Sequence, residues 1–172
     1  VEGARRGEIC PSSLLVRSAG DISKLDPIQS GKAVVADQGS QLVVEAVLAK
    51  ATDTILDVCS APGGKSILLS RKADKVFACD ISPDRLLKLE QTLDRVDVHN
   101  VFVFSADARK LPFSSGTVFD KVLVDAPCSG LGVLRRRPDA RHRITTEDVV
   151  DLVRLQKEIL TTAAKYVAVG GY

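Results

Sequence analysis

At 172 residues, 45% of them hydrophobic, the chain has the length of one ordinary domain and enough apolar side chains for a sizeable core. A formal net charge of +2 is too small to mark a polyanion binder by itself, so any such contact must come from a local cluster. Four scattered cysteines (Cys10, Cys59, Cys79, Cys128), with no Cys-x-x-Cys pair and two histidines, argue against a metal site and a disulfide framework and favour a reducing cytoplasm. No apolar run approaches the ~20 residues of a membrane span, so no membrane contact is expected.

Before residue 35 the segments "ARRGEICPSS" and "SAGDISKLDPIQSG" are rich in Ser, Gly, Pro and charge, which predicts loop or the remnant of an upstream domain. A capped helix, "DQGSQLVVEAVLAK", opens the unit that runs over residues 36–172. From residue 53 the pattern alternates. "DTILDVC" reads as strand, "KSILLSRKA" as helix, "KVFACD" as strand, "SPDRLLKLEQTLDRV" as helix, and "VFVFSAD" and "DKVLVDA" as strands. Short apolar strands alternating with amphipathic helices predict an α/β fold with a mostly parallel sheet flanked by helices. Ser82 before Pro83 predicts a cap and a first-turn proline. Thr145 with early acids opens a last long helix, whose Val149, Leu152, Val153, Leu155, Ile159 and Leu160 are expected to pack on the sheet. The chain begins at Val1, has no methionine and ends in "VAVGGY", a turn leading towards another strand; a fragment of a longer protein is expected, truncated before its last strands.

The stretch "DVCSAPGGKS", Asp57 to Ser66, sits between the first predicted strand and its helix. Its "GGKS" end looks like a nucleoside-triphosphate loop, but the opening glycine of that motif falls on Cys59. The alternative is a Rossmann-type turn, where small residues let a nucleoside ligand approach the backbone. In an open parallel sheet, ligands bind beyond the carboxyl ends of the strands. Four features stand at such ends. They are Cys59 to Lys65; Asp80, placed to accept from both hydroxyls of a ribose; Asp107, placed to accept from the exocyclic amine of a base; and "DAPCSG", Asp125 to Gly130. Together they outline a nucleoside-shaped site. Cys59 and Cys79 read as small core residues rather than reactive thiols. A nicotinamide-dependent oxidoreductase is disfavoured because G-x-G-x-x-G is absent.

"DQGSQLV", "DVCSAPGGKS", "DISPDRL", "SADARKLP" and "DAPCSGLGVLRRRPD" resemble motifs of the RNA (cytosine-5) methyltransferases of the Nop/Sun family, in particular the bacterial ribosomal-RNA type. The resemblance runs from about Asp37 to the end. It implies a Rossmann-like class I fold that binds S-adenosylmethionine. Cys59, Ser60, Ala61, Pro62, Gly63, Gly64 and Lys65 would border the methionine and ribose portions, Asp80 the ribose and Asp107 the adenine, and Asp125 would complete the pocket. A sulfonium donor suits a site with several carboxylates and no arginine in its loops. The resemblance also implies methylation of cytosine C5 in RNA, most simply 16S ribosomal RNA, through a cysteine adduct at C6. Transfer RNA as substrate, or a non-catalytic RNA-binding or assembly role on the same fold, stands as the alternative.

The catalytic residues would be Cys128, Asp125 and Lys65. Asp125 would bind the cytosine N3 or amino group, and Lys65 would hold Asp125. Cys128 is the best-placed thiol for the attack, as a Pro-Cys at this strand end is in DNA cytosine-5 methyltransferases. The RNA family that the chain resembles instead assigns attack to a cysteine in a Thr-Cys pair after the next strand and gives the Pro-Cys thiol, here Cys128, the release of product. Nucleophile and helper therefore stand as the two readings of Cys128. The 172 residues contain no Thr-Cys pair, so this chain alone is expected not to turn over. "RRRPDARHR" follows the Pro-Cys turn and suits RNA phosphates, with Arg135, Arg136, Arg137 and Arg141 as the expected contacts. The target cytosine must be unpaired or flipped out to reach Cys128. RNA selection would lie largely in an N-terminal RNA-binding region, of which residues 1–35 would be a linker or remnant.

Overall fold

The structure, a computed structural model, describes residues 3–7, 10, 12–16, 20–133 and 144–172. Among the described residues of the first 35 are two short strands, β1 (Arg5–Arg6) and β2 (Leu14–Leu15), paired antiparallel, a 3-10 turn (Ile22–Lys24) and one turn of helix, α1 (Asp26–Gln29). Gly31 anchors this segment to the body of the molecule. Its φ is +73°, and a Cβ there would stand 1.8 Å from the Arg95 carbonyl oxygen, so only glycine fits.

Helix α2 (Gln38–Ala46) follows, capped by the Asp37 carboxylate, which accepts from the Gly39 N–H at 3.1 Å. Four strands then form one parallel sheet: β3 (Thr54–Val58), β4 (Lys75–Asp80), β5 (Val101–Ser105) and β6 (Lys121–Val124), in the order β5-β4-β3-β6. Helices α3 (Gly64–Ser70) and α4 (Pro83–Arg95) provide the crossovers from β3 to β4 and from β4 to β5. Helix α5 (Thr146–Ala163) follows β6.

The period of two along each strand sorts the core. Leu56, Val58 and Cys79 face α5 and pack with Phe119, Ile159 and Ala163, while Ile55, Val76 and Ala78 face the helices of the opposite layer, with Val44, Ile67, Leu69, Leu86 and Leu89. Both sheet faces are covered, as a parallel sheet requires. Phe77, Phe104, Phe113, Phe119 and Tyr166 interlock on the α5 side, with ring centroids 5.1 to 6.3 Å apart.

Two sequence expectations differ in detail. Ser82 is the residue before α4, with Pro83 in its first turn, but its side chain makes no capping bond; its N–H instead donates to Asp80. On α5 the buried positions are Ile159 and Ala163, with Leu152 and Leu155 half-buried, while Val153 and Leu160 face outward. A single stripe at three- and four-residue spacing reaches the sheet, and those two lie off it. At the end of the chain, Phe119 and Val167 form a parallel bridge, and the Val122 N–H donates to the Tyr172 carbonyl at 3.0 Å, so this segment runs beside β6.

Candidate active site

The chain proceeds from β3 to β4 to β5 on one side, then returns to place β6 on the other side of β3. That reversal opens a crevice at the carboxyl ends of β3 and β6. The loop after β3 lines it. Cys59 adopts φ +61° and Gly63 φ +98°, while the Ser60 N–H donates to the Cys79 carbonyl and the Gly63 N–H to the Ser60 carbonyl, each at 2.8 Å. Two left-handed residues thus turn the chain sharply from strand to helix. Gly63 packs against Leu89, and Gly64 has open space where a Cβ would stand. Ser60 Oγ is buried without a hydrogen-bond partner among the described residues.

Asp80, 3% exposed, stitches two strand ends together. One oxygen accepts from the Ala61 N–H at 3.2 Å, the other from the Ser82 N–H at 3.0 Å, and the Arg85 guanidinium lies 3.6 Å away while also donating to the Ala61 carbonyl. Asp107 begins the turn after β5. Its neighbour Ala106 donates its N–H to the Asp80 carbonyl at 3.1 Å, so the two predicted nucleoside acids stand on adjoining strand ends. Arg109 grips Asp107 through its backbone N–H, Nε and Nη2. Those hydrogen bonds hold the Asp107 carboxyl well below the usual carboxylate range, at about 2. At the end of β6, Asp125 Oδ2 accepts from Lys65 Nζ at 2.5 Å, which places the predicted lysine and acid in direct contact across the crevice.

These pairs correct one expectation. The loops do not present unopposed acids, because Asp80, Asp107 and Asp125 each have a cation beside them: Arg85, Arg109 and Lys65. The expectation of carboxylates with no arginine in the loops is therefore not met. Both arginines stood within quoted motifs, "DISPDRL" and "SADARKLP", five and two residues after their acids.

Asp57, fully buried in β3, was not singled out in the sequence. Its Oδ2 accepts from Ser66 Oγ at 2.5 Å and its Oδ1 has no partner among the described residues. Burial pushes its carboxyl up to about 7, against the opposing pull of the Ser66 hydrogen bond and of Lys65. The signal was a lone acid inside an apolar strand run, which must be paired or protonated. Burial likewise pushes the Cys59 thiol up to about 12 and the Cys79 thiol up to about 11, in keeping with inert core sulfurs.

Cys128 is exposed on the turn after β6. Its side of the site is a cleft of about 570 Å³ lined by Cys128, Ile144, Asp148, Asp151, Leu152 and Leu155, and neither Asp80 nor Asp107 lines that cleft. Gln156 of α5 donates to the Pro127 carbonyl at 2.7 Å and pins the thiol-bearing turn to the helix. Arg135, Arg136, Arg137 and Arg141 lie outside the described residues. Among the described residues there is no group of metal-ligating side chains, and no helix is long and apolar enough to cross a membrane.

The fold is that of the Rossmann-like S-adenosylmethionine-dependent methyltransferases. A family model described as 16S rRNA methyltransferase RsmB/F matches residues 45–172, and the chain belongs to that family. It is 41% identical over 160 residues to the putative methyltransferase Rv1407 of Mycobacterium tuberculosis, covering 88% of this chain and 34% of that protein. Ribosomal RNA small subunit methyltransferase B of Proteus mirabilis is 34% identical over 164 residues, covering 94% of this chain and 39% of that protein. Among solved structures, NSun6 from Pyrococcus horikoshii with SFG, an S-adenosylmethionine analogue, superposes with a TM-score of 0.79 at 34% identity, covering 88% of this chain and 39% of that one. The chain thus spans little more than a third of the length of these relatives.

Proposed function

We propose that residues 36–172 are the catalytic part of an enzyme that methylates cytosine C5 in 16S ribosomal RNA, using S-adenosylmethionine. The observation that carries this reading is the Lys65–Asp125 pair, which joins the glycine loop after β3 to the Asp-Ala-Pro-Cys turn after β6. The donor fits the residues present. Ser60 Oγ is a buried hydroxyl in the loop with no partner among the described residues, Gly64 leaves room for close approach, and Asp80 and Asp107 offer acceptors on neighbouring strand ends. Cys59 to Lys65 would border its methionine and ribose portions, Asp80 the ribose and Asp107 the adenine. When bound, S-adenosylmethionine supplies an electrophilic methyl group on sulfur.

The chain's own groups prepare the base. Asp125, fixed by Lys65, accepts from the cytosine amino group or protonated N3 and so favours the ring form whose C6 is electrophilic. A cysteine thiolate must add at C6 before C5 becomes nucleophilic enough to take the methyl. By the family resemblance that thiolate belongs to a Thr-Cys pair, which these 172 residues do not contain, so this chain by itself binds the donor without turnover. Cys128 assists release of the methylated product. Arg135, Arg136, Arg137 and Arg141 contact RNA phosphates; this rests on their clustering in the sequence.

The test is transfer of labelled methyl to a 16S ribosomal RNA transcript by the protein that carries this domain together with the Thr-Cys pair. Label should be recovered as 5-methylcytidine, and Asp125→Asn should lower the rate by at least about 100-fold, the usual scale for a positioned acid or base. Label in another nucleoside would overturn the reaction. A near-normal rate for Asp125→Asn would remove that residue's role.

A further inference from the structure

We infer that the outer edge of β5 is an interface between two copies of this chain, which pair their β5 strands antiparallel about a two-fold axis at Val103. One sheet then runs through both copies, whatever reaction the domain carries out. Among the described residues, β5 is the end strand of the order β5-β4-β3-β6, with β4 on one side and no strand on the other. The Asn100 carbonyl accepts from the Val76 N–H at 2.9 Å, and the Ala106 N–H donates to the Asp80 carbonyl at 3.1 Å. Asn100, Phe102, Phe104 and Ala106 therefore turn their backbone groups towards β4, and by the period of two Val101, Val103 and Ser105 turn theirs outward. Among the described residues no hydrogen-bond partner is found for these three outward N–H and three outward C=O groups.

The strand "VFVFS" carries neither a charge nor a proline, the two residue types that commonly keep an edge from pairing. Phe102 is 45% exposed although its ring stacks on Phe77, with centroids 5.2 Å apart. The strand is also its own complement. Antiparallel pairing about Val103 sets Val103 against itself and Val101 against Ser105 of the other copy, so every outward group meets one and six hydrogen bonds form. A shift of one residue would set these groups against ones already bonded to β4, and a shift of two would leave some unmatched. The positions in between, where side chains approach most closely, set Phe102 against Phe104 of the other copy and cover the exposed ring with a second aromatic. Charge agrees as well. Asp97, with its side chain 90% exposed, precedes β5 and the exposed Lys110 follows it, so the two-fold brings the acidic end of each strand to the basic end of its mate. Backbone, ring and charge thus point to the same occupant, a second copy.

Sedimentation equilibrium on this chain, together with amide hydrogen exchange, tests the inference. The mass should rise from one copy towards two over about the micromolar range, as suits a small interface. Over the same range the Val101, Val103 and Ser105 amides should gain protection, while those of Phe102 and Phe104, already bonded to β4, should change little. Ser105→Pro removes an N–H that faces away from β4, where an edge strand accepts proline, and deletes two of the six bonds across the two-fold. It should raise the dissociation constant of the dimer at least about tenfold. Phe102→Lys should leave only monomer at every concentration. If Phe102→Lys does not fold, Ser105→Pro decides by itself. A wild-type monomer throughout the range would overturn the inference, and so would a dimer whose dissociation constant neither variant moves, since the contact would then lie elsewhere. Outward amides protected equally at all concentrations would mean that another part of the same copy covers the edge, and would overturn it too.

Discussion

Gly63 and Leu89 meet beneath the loop that follows β3. A Cβ on Gly63 would stand 2.1 Å from Leu89 Cδ1, and its φ of +98° is strained for any side chain. Gly63→Ala should cost about 1–3 kcal/mol from the backbone alone, with the clash added. Combined with Leu89→Ala, it should cost less than the sum of the two single changes, because the clash is gone; additive urea midpoints would show that Leu89 yields freely. Asp57 makes a different prediction. Its carboxyl is raised from 3.8 to about 7, so over that interval the native state holds a proton that the unfolded chain has released. Its contribution is complete below pH 3.8 and is lost as pH rises through about 7, which makes stability fall with rising pH. Replacing it by Asn should flatten that part of the urea-midpoint profile; an unchanged slope would assign the dependence to other groups.

Helix α5 binds the two halves of the site into one frame. Gln156 reaches the Pro127 carbonyl, while Glu158 and Thr162 reach Arg109. Its start is set by a reciprocal pair: Thr145 Oγ1 accepts from the Asp148 N–H at 3.1 Å, and the Asp148 carboxylate accepts from the Thr145 N–H at 2.9 Å. Thr145→Ala should cost about 1 kcal/mol in thermal or denaturant unfolding; no loss would mean that packing against the sheet alone fixes where the helix begins. The strands and crossover helices were legible because their apolar periods are strong and short. The buried face of α5 was legible only in part, since a long helix rich in Val and Leu offers more apolar residues than one stripe can bury. Which cation pairs with Asp80 or Asp107 was not legible either. Arginine reach is set by how turns pack, and only the nearness of each Arg to its acid in sequence hinted at it.

At the scale of the whole molecule, the return of β6 beside β3 brings a glycine loop and a thiol turn together from positions 60 residues apart, joined by Lys65 and Asp125. The order of motifs along the chain announced this arrangement, because each stood at the end of a predicted strand. The balance of charge around it was not announced. Among the described residues, Arg85, Arg109 and Lys65 are each set against an acid, which reduces the net negative charge at the strand ends that would favour a sulfonium over the uncharged thioether that remains after transfer. Spent and fresh donor should then show similar dissociation constants at low and high ionic strength alike, a comparison that calorimetry reads directly; a strong, salt-sensitive advantage for the fresh donor would contradict it. On the proposed function, similar affinities would make the demethylated compound an inhibitor, so that the pace of methylation would depend on how quickly the surroundings clear it.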